Sequence, residues 1–313
     1  MNDLRNWKDI NLRLINRGRP STYLRPAALN QDADLSVMNH DKVGKPFSFS
    51  NMLMVAAFAV KCVFKIGYRG AAGNVKDFLD SIGITSHPDF RTIQWRISRM
   101  KKDGIKLMVY RRSGTDIDVI LDSSGVKARN DGEYRSTKYG KIKAWKEVHI
   151  AIERWTHKIL NMEITENDVR DAEELIPLME PIIAMNKVRS ATADGAYDSE
   201  RNFEYCDDNN IKPMIPVHIN AINGKHKKKR IMEQLGTDVR PGSYFHNLHL
   251  TKEMKRQNQD RWKKESGYHS RSLVETTFSV FKGAFGEYAF SKNDEMKEKE
   301  LLLKAVVYNR FLA

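Results

Sequence analysis

The chain has 313 residues, 41% of them apolar, enough to bury one large core or two ordinary ones. Lysine and arginine outnumber aspartate and glutamate by 53 to 40, a formal charge of +13, which favours a polyanionic partner such as nucleic acid. Two distant cysteines, Cys62 and Cys206, exclude a disulfide framework and a cysteine metal motif, and a reduced, intracellular protein is the expectation. The most apolar run, Met52 to Val60, is followed by Lys61 and Lys65 and falls far short of the roughly 20 residues a bilayer needs. Met1 to Asp9 is charged and shows no secretory signal, so no membrane partner is expected.

Residues 1–45 are polar and mixed, with weak periodicity. From 47 to about 105 the pattern is helical. One helix spans roughly Ser50 to Ile66, capped by Ser48 or Ser50. A short one follows near Ala71 to Ser81 and stops at Gly83. A third starts at Pro88, a favourable first-turn residue, with Phe90, Ile93, Ile97 and Met100 as its core stripe. Arg91, Trp95, Arg96, Arg99 and Lys102 occupy the rest of that helix. A helix, a glycine-containing turn and a basic helix form a helix-turn-helix-like unit at about 68–102, with Arg91, Gln94 and Arg96 as candidate base readers. A plain three-helix packing module has the same pattern.

From Asp116 the period becomes two. Ile117, Val119 and Leu121 alternate with Asp118, Ile120 and Asp122; Val148, Ile150 and Ile152 with His149, Ala151 and Glu153; Leu160, Met162 and Ile164 with Asn161 and Glu163. A helix from Asp171 to Ile183, a buried strand from Val188 to Ala193, a helix near Ser199 to Asp208 and a short strand from Lys212 to Val217 follow. Residues 218–267 are polar and read as a basic loop. Lys227, Lys228 and Lys229 lie within it, and in so basic a chain a phosphate-contacting insertion is favoured over a merely solvated one. The chain closes with a helix from about Glu295 to Phe311. This order fits an α/β protein: a ribonuclease H-like mixed five-stranded sheet flanked by helices, preceded by a small all-α domain. The expected domains are 1–110, for DNA binding, and 111–313, with the insertion inside the second.

Asp122 and Asp194 follow the first and fourth strands, which are neighbours in such a sheet, so both carboxylates emerge side by side. Two carboxylates at close range need a cation between them, and magnesium suits hard oxygen ligands. Each alone is also an ordinary turn aspartate. A third acid belongs to the stretch Tyr268 to Lys282. Read as one helix, at about 100° per residue, it places Tyr268, Arg271, Glu275 and Lys282 on a stripe about 60° wide. The plain alternative is a surface Arg–Glu pair. Three carboxylates can hold two divalent ions roughly 3.5–4 Å apart for phosphoryl transfer. His149 reads as a structural histidine, Asp116 and Asp118 as strand starters and Asp198 as a helix cap. No phosphate-binding glycine loop, dinucleotide fingerprint, Cys-x-x-Cys or His-Glu-x-x-His occurs.

The box Tyr-(2)-Arg-(3)-Glu-(6)-Lys, met by Tyr268, Arg271, Glu275 and Lys282, resembles that of the DDE transposases of bacterial and archaeal insertion sequences, in the superfamily numbered four and five. Ile120 to Gly125 resembles the family's first-aspartate strand, Ala193 to Asp198 its second, and Pro88 to Ile93 the helix-turn-helix stretch before the catalytic domain. The likeness covers about 85 to 313. It implies a ribonuclease H-like core, Mg2+ or Mn2+ in two ions on Asp122, Asp194 and Glu275, and phosphate contacts from Tyr268, Arg271 and Lys282. It implies cleavage at terminal inverted repeats, transfer of the 3′-hydroxyl into target DNA, a homodimer joining two ends, and a prokaryotic cytoplasmic setting. A non-catalytic DNA-binding regulator and a nuclease that cuts without joining are the alternatives.

Overall fold

A computed structural model describes residues 7–109, 115–128, 145–166, 168–218, 227–235, 252–291 and 293–312. The chain divides into two compact units: unit 1 holds residues 1–107 and 281–313, unit 2 residues 108–280. By compactness, therefore, the last 33 residues of the segment 111–313 go with the N-terminal helices (313 − 280).

Unit 1 is helical. It opens with α1 (Trp7–Arg17), α2 (Pro20–Leu29) and α3 (Gln31–Asn39), three helices that the weak periodicity of residues 1–45 does not reveal. The reason lies in the residues: Leu12, Leu14 and Ile15 of α1 are exposed, α2 carries an internal Pro26, and α3 buries nothing. α4 (Asn51–Val63) starts where expected, with Ser50 Oγ accepting the Leu53 N–H at 3.1 Å. Every residue from Leu53 to Val60 is buried, which explains the apolar run. α5 (Tyr68–Ser81) starts three residues before the expected Ala71 and gives way to Gly83 at φ +80°. α6 (Phe90–Arg99) starts later than Pro88, because the Asp89 carboxylate caps it through the Arg91 N–H. Eight residues, 82–89, separate α5 from α6, a longer connection than the three or four of a compact helix-turn-helix. α7 (Lys102–Val109) ends the run.

The C-terminal helix α13 (Asp294–Phe311) belongs to the same unit and is buried on nearly every side. Its Phe311 ring stacks on Phe285 at 5.5 Å, and Phe281 lies 6.3 Å from Tyr308. No single helix among the described residues is long and apolar enough to cross a membrane; α4 and α5 pass that test only together, across a 119° bend.

Unit 2 is a mixed sheet with helices. β1 (Ile117–Ala128), β2 (Trp145–Glu153), β3 (Ile159–Glu166), β4 (Val188–Thr192) and β5 (Lys212–Met214) lie in the order β3-β2-β1-β4-β5. β1–β2 and β2–β3 pair antiparallel, β1–β4 and β4–β5 parallel, which is the ribonuclease H-like arrangement. β1 is longer than its alternation suggests and runs to Ala128. α8 (Asp171–Ile183) and α9 (Glu200–Asp208) bury Leu175, Leu178, Met179 and Phe203 with Val119, Leu121 and Ala151. The segment read as a basic loop holds two helices, α10 (Lys227–Leu235) and α11 (Lys252–Ser266). Gln234 anchors α10: its amide donates to the Ile215 carbonyl at 2.9 Å and accepts the Val217 N–H at 2.8 Å.

Candidate functional site

The parallel register of β1 and β4 builds the first half of the site. Ile120 pairs with Thr192, the last residue of β4. Asp122 and Asp194 each lie two residues farther on, one along each strand path. Asp122 is not at the end of its strand, as the sequence suggests. It sits in mid-β1, opposite Ile150 of β2, where the parallel partner has ended. Its side chain is therefore hemmed in on the β2 side and open where β4 stops. Asp194 leads into a 3-10 turn over Gly195–Tyr197, and one of its carboxylate oxygens accepts the Ala196 N–H at 2.8 Å.

The third acid arrives on a broken helix. Tyr268–Arg271 form a 3-10 turn behind Gly267, which adopts φ +74°, and α12 (Ser272–Phe285) begins only after it. The single stripe expected over 268–282 is thus interrupted at its N-terminal end. Arg271 nevertheless reaches Glu275 in the first turn of α12, donating from Nη2 to Oε1. From Nη1 it donates to Asp122 Oδ2 at 3.2 Å. Arg271 and Asp122 lie 149 residues apart in sequence.

Electrostatics mark Asp122. Burial first, and the neighbouring charges of Asp194 and Glu275, push its carboxyl up to about 6 against the pull of Arg271 and a backbone hydrogen bond. Burial also raises the Tyr268 phenol to about 12, with the same three acids adding and Arg271 opposing. For Arg271, burial works downward but the charges around it, Asp122 foremost, carry the net shift upward. Asp122, Asp194, Glu275, Arg271 and Tyr268 therefore share one field.

Two further acids lie nearby that the sequence reading missed. Ser123 Oγ donates to Glu147 Oε1 at 3.1 Å, and the Asp171 carboxylate lies within reach of the same hydroxyl. Burial, with repulsion from Glu147 and Asp194, raises Asp171. Glu147 stands just before the alternating stretch of β2, and Asp171 resembles any acid opening a helix, so neither carries a signal of its own. His149 is buried beside them, its Nε2 2.9 Å from Thr165 Oγ1 and its Nδ1 3.5 Å from Asp171. Burial lowers its pKa to about 4, so it is a neutral structural histidine. Tyr197, fully buried, turns a hydroxyl without a hydrogen-bond partner into the field of Asp171, Asp122, Asp194 and Glu147.

The remaining candidates fall elsewhere. Asp118 locks β1 to β4 through Arg189 and Ser190, and the Arg189 hydrogen bond holds its carboxyl low. Asp116 pairs with Lys187 at 3.0 Å. Ser199, not Asp198, caps α9, while Asp198 accepts the His218 N–H. Trp262 is buried and packs its ring 5.8 Å from Tyr268. Lys282 lies in the last turn of α12, within unit 1. Lys227, Lys228 and Lys229 open α10, with side chains outside the described residues. On α6, Arg91 and Gln94 are exposed, whereas Arg96, the third candidate base reader, is buried. It is 7% exposed, donates to the Phe49 carbonyl and to Asn51 Oδ1, and lies 4.2 Å over the Phe47 ring. That guanidinium fastens the segment before α4.

Among the described residues no three His, Cys, Asp or Glu side chains are gathered to hold a metal ion. The donor set still fits a hard divalent cation by chemistry, being three carboxylates, two of which already share a cationic partner.

Loose likenesses to solved structures exist. A simian T-cell lymphotropic virus intasome in complex with PP2A regulatory subunit B56 gamma matches 52% of this chain and 52% of its own, at 12% identity and a TM-score of 0.27. The chain thus spans about half the length of that relative. A piggyBac transposase synaptic complex with hairpin DNA matches 96% of this chain and 74% of its own, at 10% identity and a TM-score of 0.43. A Drosophila P element transposase strand transfer complex matches 88% and 81%, at 12% identity and 0.33. The sequence itself matches one family model, described as a transposase DDE domain, over residues 113–310, and a second of the same description over 15–131. The first match covers well over half of the residues, and the chain belongs to the DDE transposase family.

Proposed function

We propose that this protein is an insertion-sequence transposase. In this reading it cleaves DNA at the ends of its element and joins the freed 3′-hydroxyl to target DNA. Asp122, Asp194 and Glu275 hold Mg2+ or Mn2+, in two ions. The observation that carries the reading is that Arg271 bonds both Asp122 of β1 and Glu275 of α12, with Asp194 just past the end of β4, the parallel neighbour of β1. The metal ions, when bound, supply activation of a water or 3′-hydroxyl and stabilisation of the leaving oxygen.

The protein's own residues supply position and field. β1 and β4 fix two carboxylates on a rigid sheet, and α12 presents the third. Burial of Asp122 limits the screening of that carboxylate by water. Tyr268 and Arg271 offer hydrogen-bond donors to phosphate oxygens at the cut end, and Lys282 is a further phosphate contact on DNA. Residues 1–110 recognise the terminal repeats, with Arg91 at the DNA surface, and residues 111–313 carry the chemistry. Lys227, Lys228 and Lys229 contact phosphates from the insertion. Two ends must be held together, so the working form is a homodimer on DNA, in the cytoplasm of a prokaryotic cell.

A strand-transfer assay with labelled element ends and Mg2+ tests this. Joined product supports the transposase. Cleavage without joining points to a nuclease, and binding without cleavage to a regulator.

A further inference from the structure

Asp122 and Glu275 come from distant parts of the chain, yet one side chain meets both. The Arg271 guanidinium spends Nη1 on Asp122 and Nη2 on Glu275. These are different nitrogens of one planar fork, so both hydrogen bonds form at once. An Arg–Glu pair four residues apart is commonplace on a helix surface. A third partner on a sheet strand is not. Asp122 is 14% exposed and Glu275 54%, so the bridge ties a surface carboxylate to one set into the sheet. The turn that carries Arg271 is itself fixed, by the left-handed Gly267 and by Tyr268 against Trp262.

We infer that Arg271 is a positioning residue, a built-in counter-ion that holds Asp122 and Glu275 together and yields them when a divalent cation binds, turning its guanidinium to a DNA phosphate. This rests on the proposed reading of Asp122 and Glu275 as metal ligands. No covalent bond changes in the exchange. The carboxylates trade a monovalent partner for a divalent one, and the guanidinium trades carboxylate oxygens for phosphate oxygens, which suit its fork equally well.

The consequence is coupling. Without DNA, metal and guanidinium compete for the same oxygens, which holds metal affinity down. A phosphate gives Arg271 another partner and lifts that restraint, so metal and DNA each strengthen binding of the other. The site then becomes complete only on DNA.

The test is Mn2+ binding to the full-length protein, read from the electron paramagnetic resonance of free Mn2+, with and without a short duplex of arbitrary sequence. Without DNA, Arg271→Gln is expected to bind Mn2+ about tenfold tighter than wild type. The duplex should tighten Mn2+ binding in wild type and leave Arg271→Gln unchanged. Equal or weaker binding by Arg271→Gln overturns the inference. Should that variant not fold, wild type decides alone: Mn2+ affinity indifferent to the duplex overturns it as well. Asp122→Asn separates the two levels of the argument. If it binds Mn2+ as well as wild type, the metal-ligand reading itself fails. If it loses Mn2+ while Arg271→Gln gains nothing, only the role of Arg271 falls.

Discussion

Each unit contains a carboxylate beside a cation, and the two pairs are built to different ends. In unit 1, Glu300 and Lys304 are both 1% exposed and 2.8 Å apart. Glu300 also accepts the Phe290 and Ser291 N–H groups and the Ser291 hydroxyl, while Lys304 donates to the Tyr288 carbonyl. Burial would raise Glu300, but Lys304 and these donors overcome it and hold the carboxyl below its ordinary value. In unit 2, Asp122 is less deeply buried, yet its pKa goes the other way, up to about 6. One guanidinium and one backbone hydrogen bond do not offset burial and two neighbouring acids. A charge kept for structure is saturated with partners; Asp122, the proposed metal ligand, is left short of them.

The sharpest break of that comparison is functional. Asp194→Asn should lower end cleavage by about 100- to 1,000-fold or more while leaving affinity for end DNA roughly intact, as read by cleavage and gel-shift assays. Lys304→Met should do the opposite. It strands a buried carboxylate and should cost about 3–5 kcal/mol of stability in urea unfolding, with whatever activity survives following the folded fraction. A Lys304→Met protein of wild-type stability would undo the contrast.

The two acids should also respond to pH with opposite slopes. Asp122 titrates higher in the folded chain than its ordinary value of 3.8, so the folded state holds the proton longer. Stability from this group is greatest at low pH and falls as pH rises from about 4 to about 6. Two units correspond to nearly 3 kcal/mol, and partial exposure reduces this to about 1–2 kcal/mol. Glu300 titrates lower than its ordinary 4.5, so its contribution is present above that value and is lost as pH falls through the depressed one. Metal-free Asp122→Asn should therefore be more stable than wild type at pH 7.5, and the gain should shrink as pH falls through about 6 and vanish by about pH 3. A gain undiminished at about pH 3 would mean the raised titration is not its source.

How much of this was legible beforehand follows the range of the forces involved. Alternation along 117–121, 148–152 and 160–164 reveals the antiparallel strands, although 117–121 and 148–152 are buried on both faces, and α8 occupies the very span its apolar spacing gives. α10 and α11 are hidden because, among the described side chains, they bury few apolar ones: Ile231 and Leu235 on one, Trp262 on the other. At the site, the Arg271–Glu275 contact is visible from a spacing of four. The Arg271–Asp122 contact, 149 residues long, exists only once β1 and the 3-10 turn are folded together. Glu147 and Asp171 escape for the same reason, since Ser123 unites them from another strand.

Arg96 shows the limit most clearly and sets the smallest effect. A helical wheel gives it to the polar face of α6, but the strap before α4 folds over it, and Phe49, Asn51 and Phe47 take its head group. Arg91, five residues earlier, stays exposed, its guanidinium 5.7 Å from the Phe90 ring. The two arginines should therefore separate stability from binding. Arg96→Ala should cost about 1–3 kcal/mol in unfolding, since its part-buried partners lose their donor, and should leave the salt dependence of DNA binding unchanged. Arg91→Ala should leave stability within about 0.5 kcal/mol and lower the salt slope of binding by about one. If Arg96→Ala changed that slope while unfolding as wild type does, its side chain would leave the strap for DNA, and its burial would describe only the free protein.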